Sequence, residues 1–324
     1  MEAIERTQIS TPFNVGQVNC YLLAEDRLTV LDPGPATDEA YTELKSSLTR
    51  TGHRIEDIDR VLITHPHMDH FGLAGQIVEE SGAHVFAHEN AVENLSDPVG
   101  YFEKEREYFR PFLLSMGMPR DTVDTVLELP EAYTDHQDAV AVTNELADGD
   151  VLDIGIDLEC ISTPGHSPGS LCYLAASEDA IFTGDHVLPD FTPNPLLTLA
   201  PGSADERTRS LPTYLESLRK VLDTDATVGY GGHGEPMLTL QNRVQETISH
   251  HQDRKERIAN LIEHESMTAY QIMKEIFPDL LATEMFPGMS EVIGHLDLLE
   301  DENRVVISEA DGVKWYELDT RASR

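Results

Sequence analysis

Thr64-His65-Pro66-His67-Met68-Asp69-His70-Phe71-Gly72 follows directly on the apolar stretch Arg60-Val61-Leu62-Ile63, and its reading decides the fold. Imidazole nitrogen and carboxylate oxygen are the ligands that suit zinc, iron and manganese, and three histidines with an aspartate inside six residues supply both. Pro66 keeps the backbone off a regular helix, so that alternate side chains can converge on one point. A solvated, His-rich turn would carry the same letters. What separates the two readings is whether further ligands arrive from elsewhere in the chain.

They do, each in the same kind of context. Thr163-Pro164-Gly165-His166-Ser167-Pro168-Gly169-Ser170 is a Pro/Gly turn between two β-like segments, Asp157 to Ser162 and Ser170 to Ala175. Ile181-Phe182-Thr183-Gly184-Asp185 is a short apolar strand ending in a carboxylate, and Thr227-Val228-Gly229-Tyr230-Gly231-Gly232-His233 is a strand ending in a His among glycines. One strand-end His or Asp is usually a turn or cap residue. Four loops that each follow a strand and each present a ligand predict a metal centre.

This ordered set resembles the metallo-β-lactamase superfamily, whose signature is His-x-His-x-Asp-His followed by a distant His, Asp and His. The likeness spans about residues 1–250 and includes Asp32-Pro33-Gly34, similar to the family's Asp-x-Gly turn after an early strand. It implies that His65, His67 and His166 hold a first metal, that Asp69, His70 and His233 hold a second, and that Asp185 bridges them. Asp69 and Asp185 are then the catalytic carboxylates, and Asp32 holds a ligand imidazole by its other N–H, as metal-binding histidines usually require. Two divalent ions about 3.5–4 Å apart can lower the pKa of a shared water from 15.7 to near 7, so the nucleophile is water-derived hydroxide. In keeping with this, no Gly-x-Ser-x-Gly occurs, and Cys20, Cys160 and Cys172 sit in strand-like apolar contexts. Zinc is the expected metal, with iron or manganese as alternatives that the same ligands accept.

The resemblance also orders the chemistries. The diiron oxidoreductase branch carries Glu where this chain has His67, which points to hydrolysis. Foremost is hydrolysis of a thioester or other activated acyl compound, most similar to hydroxyacylglutathione hydrolases. Lactone or β-lactam opening, phosphodiester cleavage, and a single-iron persulfide dioxygenase are the alternatives.

Between the first ligand loop and His166, residues 90–140 interrupt the strand–loop–helix order. Tyr101 to Arg110 and Thr122 to Leu129 read as amphipathic helices, an insertion expected to hang over the metal face as a lid. Arg106 and Arg110, one turn apart, are candidates to grip a substrate anion, or else to pair with Glu103 and Glu107 on a solvated face. Thr37 to Arg50 and Gly72 to Ser81 read as helices that alternate with the strands, which supports an α/β fold, an αββα sandwich. Beyond Glu235 comes a long polar helix, then two helices and a β-hairpin over about 265–324, an order similar to the winged-helix tail of one superfamily branch. Glu291, Asp297, Glu300, Asp301 and Glu302 on its second helix would repel phosphates, so nucleic acid is not the expected partner. The tail is expected to pack on the main domain or on the other subunit of a homodimer. Since no ligand follows His233, it should serve stability more than chemistry.

His88, at a strand end, and His186, beside Asp185, are further substrate or ligand-orienting candidates; His53, His84, His136, His250, His251, His264 and His295 read as surface or supporting groups. The 324 residues carry 59 acidic against 23 basic side chains, a net charge of -36. Excess carboxylate with so little Lys is expected of a protein solvated in concentrated salt, where screening removes self-repulsion, and points to a halophilic, archaeal source. If so, lowering KCl from molar to about 0.1 M should depress its melting temperature and activity, as calorimetry and rate assays would show. No apolar run approaches ~20 residues and no basic n-region opens the chain, so a cytoplasmic protein acting on a small molecule, without a membrane, is expected.

Overall fold

The computed structural model describes residues 4–319; residues 1–3 and 320–324, the outer ends of the two domains expected from sequence, lie outside the described residues. Strands β1 (Ile4–Ile9), β2 (Val18–Ala24), β3 (Leu28–Leu31), β4 (Arg60–Leu62), β5 (His84–His88) and β6 (Asn144–Leu146) form one sheet in that order. It is antiparallel as far as β3 and parallel from β3 to β6. A second sheet has the order β11-β10-β9-β8-β7, with β7 (Val151–Asp153), β8 (Asp157–Ser162), β9 (Leu171–Ala175), β10 (Ala180–Gly184) and β11 (Val228–Gly231).

The two-residue period of each strand divides its side chains between two cores. On β2, Val18, Cys20 and Leu22 face α1 (Asp38–Arg50), α2 (Met68–Phe71) and α3 (Ala74–Ser81), while Tyr21 and Leu23 face the second sheet. Apart from Asn19, which donates to the carbonyls of Gly231 and Gly234, that strand is apolar because both its faces are covered. On the second sheet, Leu158, Cys160, Tyr173 and Phe182 meet the first sheet, and Ile161, Cys172 and Ile181 pack outward. After the insertion helices α4 (Val92–Ser96), α5 (Pro98–Ser115) and α6 (Arg120–Glu128), helices α7 (Ser210–Leu222) and α8 (Leu240–Leu261) cover that outer face. The layers run helix, sheet, sheet, helix. Thr37 caps α1 as its sequence suggests, its side chain accepting from Ala40 N at 3.1 Å.

The C-terminal residues form α9 (Ala269–Ile276), α10 (Met285–Asp301) and the antiparallel hairpin β12 (Val305–Ala310)–β13 (Val313–Leu318). They do not stand apart from the rest. Ile272, Met273, Leu296 and Leu299 share one apolar cluster with Phe109 and Leu113 of the insertion and Ile258 of α8. The acidic face expected to repel phosphates is also turned inward in part. Asp297 is buried against Arg207, with bonds of 2.7 and 2.6 Å, and Arg209 pairs with Glu300 and Asp301. No described helix is long and apolar enough to cross a membrane.

Candidate metal centre

The ligand-bearing segments leave β4, β10, β11 and the β8–β9 turn on one side of the sandwich, and the side chains they carry meet. His65 Nε2 and His166 Nε2 lie 3.0 and 2.9 Å from His67 Nδ1. Beside this trio, Asp69 Oδ2 is 3.8 Å from His70 Nε2 and 3.4 Å from His233 Nε2. Asp185 stands between the two groups: Oδ1 is 3.4 Å from His70 Nε2, and Oδ2 is 3.5 Å from His233 Nε2 and 3.8 Å from His166 Nε2. All seven residues expected from sequence therefore converge.

The surroundings fix which nitrogen of each ring is bare. His166 Nδ1–H donates to Asn194 O at 2.9 Å and His233 Nδ1–H to Gln17 O at 2.7 Å, leaving each Nε2 a lone pair. His70 Nδ1–H donates to Asp32 Oδ2 at 2.9 Å. Thr64 Oγ1 donates to Asp32 Oδ2 at 2.6 Å and so accepts from His65 Nδ1–H at 3.0 Å. These are the outer hydrogen bonds that orient imidazole ligands. His70 Nε2, His233 Nε2 and Asp185 Oδ1 are buried with no hydrogen-bond partner, which is costly unless a cation occupies the space they face.

Charge distribution agrees with the donor set. Burial, then the neighbouring rings, holds His65 well below the usual histidine range and His67 at about 3, and burial lowers His166 as well, so this trio is neutral. Burial would lower His70 and His233 too, but the carboxylates outweigh it: Asp185, Asp69 and Asp32 raise His70 well above the usual range, and Asp185 and Asp69 raise His233 to about 10, so without a cation each Nε2 holds a proton that a metal ion would displace. The same pairs hold Asp69 and Asp185 ionised against the opposing effect of burial. The residues thus fit two divalent ions, three neutral imidazoles for one and two imidazoles with a carboxylate for the other, with Asp185 in reach of both.

Backbone geometry serves the same end. Asp32 adopts a left-handed conformation (φ 51°), which puts its carboxylate where Thr64 N, Thr64 Oγ1 and His70 Nδ1 all reach it. A Cβ at Gly232 would overlap Asp185 Oδ1 and His70 Cε1, so only glycine fits that turn. Asp32→Asn keeps a residue tolerant of positive φ but must aim an amide N–H₂ at one of three donors. We expect it to weaken metal retention about 10–100-fold, measured by competition with a chelating indicator. Unchanged retention would show that His70 needs no such anchor.

The remaining candidates land elsewhere. His88 accepts from Asn90 N through Nδ1 (3.0 Å) and contacts Ser162 Oγ through Nε2 (3.1 Å), so both nitrogens are spent on the fold. His186 is buried against the Tyr214 ring (5.0 Å), and burial pushes it to about 3, which leaves it neutral. Arg110 pairs with Asp124 of α6 rather than with Glu107 or a ligand, and Arg106 lies over the Phe102 ring. His251 and His295, read as surface or supporting groups, are fully buried. Thr64, Gln17 and Asn194 went unread because two of them act through backbone carbonyls, which leave no trace in sequence. The adjacent glycines 231 and 232 were the visible sign of a crowded turn.

The sequence profile described as the metallo-beta-lactamase superfamily matches residues 13–233. The chain belongs to this superfamily. It is 31% identical over 308 residues to a probable metallo-hydrolase of Bacillus subtilis (strain 168), covering 94% of both chains. Among solved structures of the superfamily, a family protein of Thermus thermophilus superposes with a TM-score of 0.81 at 26% identity, over 98% of this chain and 99% of that one. A shorter stretch, 114 residues or 35% of this chain and 32% of the other, is 33% identical to an atrochrysone carboxyl ACP thioesterase of Aspergillus fumigatus.

Proposed function

We propose that this metal-dependent hydrolase cleaves a thioester or a comparably activated acyl compound, with zinc as its metal. The observation that carries the reading is a cavity of about 570 Å³ that opens on His67 and Asp69. Its walls are largely apolar: Phe13 and Pro66 from the main domain, Phe102, Val126 and Leu129 from the insertion, and Leu196 and Pro287 beyond. No Lys or Arg is among the described lining residues, whereas Asp69, Glu105 and Glu284 are. Beyond the metal ions themselves the described lining offers a phosphodiester no cationic side chain, whereas an uncharged acyl chain meets matching apolar walls.

In this reading His65, His67 and His166 hold one ion, Asp69, His70 and His233 the other, and Asp185 contacts both. Two divalent ions held there would lower the pKa of a bound water, supplying hydroxide near neutral pH, and would offset the charge that gathers on the carbonyl oxygen. The chain supplies position and exclusion: Asp32 and Thr64 fix the rings of His70 and His65, and the insertion shields the cavity from bulk water. A thiolate, the base of an acid of pKa about 8.5, departs without a strong proton donor, which suits a cavity with so few titrating groups. The likeness to a named thioesterase, over part of the chain, supports the same choice.

The helix–helix–hairpin order of the tail is that of a winged helix, and we read its role as a cavity wall, since Ala282, Thr283, Glu284 and Pro287 border the cavity. The test is a rate comparison of the zinc-loaded protein on an uncharged acyl thioester, a lactone and a bis-aryl phosphodiester. The thioester is expected to lead by at least about a hundredfold in kcat/KM. A lead for the lactone or the phosphodiester overturns the assignment, as would oxygen consumption with a persulfide in the iron-loaded protein.

A further inference from the structure

Away from this centre, where α8 packs on α10, His251 faces Glu291 and His295, which stand one helical turn apart. All three are buried, the two histidines completely. His295 donates through Nδ1–H to Glu291 O at 2.6 Å, which leaves its Nε2 a lone pair. That nitrogen faces His251 Nδ1 at 3.4 Å, beyond the 2.7–3.2 Å common for N–H hydrogen bonds. The other nitrogen of His251, Nε2, is buried with no hydrogen-bond partner. Without an ion, the two facing nitrogens are left at a stretched contact in the apolar seam between two helices, which is a costly arrangement.

We propose that His251, Glu291 and His295 form a separate site for one divalent transition-metal ion, zinc foremost, which clips α10 to α8. One ligand atom from each residue lies within 4.8 Å of the others. A nitrogen–nitrogen separation of 3.4 Å is close to the edge of a tetrahedron whose metal–nitrogen bonds are about 2.0–2.1 Å. The tautomer is set, since His295 Nδ1–H is held by a carbonyl as in other imidazole sites. Burial keeps both rings neutral, pushing His251 to about 2 and His295 to about 4, so the protons that would compete for their lone pairs are absent.

Glu291 has an outer partner as well. Arg254 Nη1 lies 3.4 Å from its Oε1, and the guanidinium rests over the Phe277 ring, 4.9 Å from the centroid. This orients the carboxylate but also places a positive charge beside the site, so its affinity falls below that of the main centre. The Tyr214 ring, edge-on to His251 at 5.7 Å, also packs on His186 next to Asp185, so the clip braces the wall behind the main centre.

Two independent experiments test the site. After zinc loading and desalting, His295→Gln and Glu291→Gln are each expected to hold about one equivalent of metal per chain less than the unaltered protein, by elemental analysis. In a His67→Ala, His70→Ala, Asp185→Asn, His233→Ala background, which takes apart both halves of the main centre and leaves the cluster intact, cobalt(II) is expected to bind at about one equivalent with the intense visible absorption of a four-coordinate ion. Equal metal content in the unaltered protein and the cluster variants overturns the site. So does a background protein that folds yet binds no cobalt, and the three residues are then a hydrogen-bonded cluster only.

Discussion

Asp185→Asn is expected to lower kcat/KM about a thousandfold or more and to reduce metal content together with it. The carboxylate lies 3.4 Å from His70 Nε2 on one oxygen and 3.5 and 3.8 Å from His233 and His166 Nε2 on the other, so both ions depend on it. An amide removes the charge that offsets two divalent ions and turns a donor group toward one of them. Steady-state rates joined to elemental analysis decide the matter, with His53→Ala, remote from every ligand, as the control. Near-native turnover at full occupancy in the asparagine variant would sink the two-ion assignment.

The second large effect is on the fold. Ending the chain after residue 264 removes Ile272, Met273, Val292, Leu296 and Leu299 from the cluster they share with Phe109, Leu113 and Met116. One deleted core side chain costs about 2–5 kcal/mol, and a whole domain is stable by only about 5–15 kcal/mol, so losing these five strips the insertion of much of its cover. We expect no cooperative melting transition by calorimetry and, in whatever stays in solution, kcat/KM lower by about tenfold or more, because Ala282 to Pro287 no longer wall the cavity. The site itself is touched as well. Asn194, whose carbonyl receives His166, is held by its side chain to Pro287 O at 2.7 Å. A truncated protein with unaltered melting and unaltered kinetics would show the tail to be dispensable. The sequence argues for stability or assembly ahead of chemistry, because ligands are visible as residue types and walls are not.

Elsewhere the same contrast recurs. Strands and ligand loops are legible because a strand buried on both faces is mostly apolar and ligands come from a few residue types, as at β2 and at His65 to His70. Strand β6 was not: Asn-Glu-Leu has no period, and it exists by parallel pairing of Asn144–Leu146 with β5. Arg110 looked like a surface or substrate group because its partner, Asp124, is brought to it only when α5 and α6 pack side by side. The acidic residues of α10 read only as a phosphate-repelling group because nothing in the sequence ties Arg207 to Asp297, ninety positions on. Short-range grammar gave the elements; partners distant in sequence decided what their surfaces do.

The cluster that joins α5 and α6 to α9 and α10 also sets an order of events. During synthesis the insertion emerges well before α9 and α10, with Phe109, Leu113 and Val123 lacking their later cover. Main-domain strands through β11 can pair in that interval, and the ligand loops with them, yet the chamber beside them stays open until Pro287 arrives. Long-range closure of this kind slows folding and prolongs exposure of apolar surface. The chain is therefore most prone to aggregate late in its manufacture, and it gains a shaped active site only as its C-terminal helices dock.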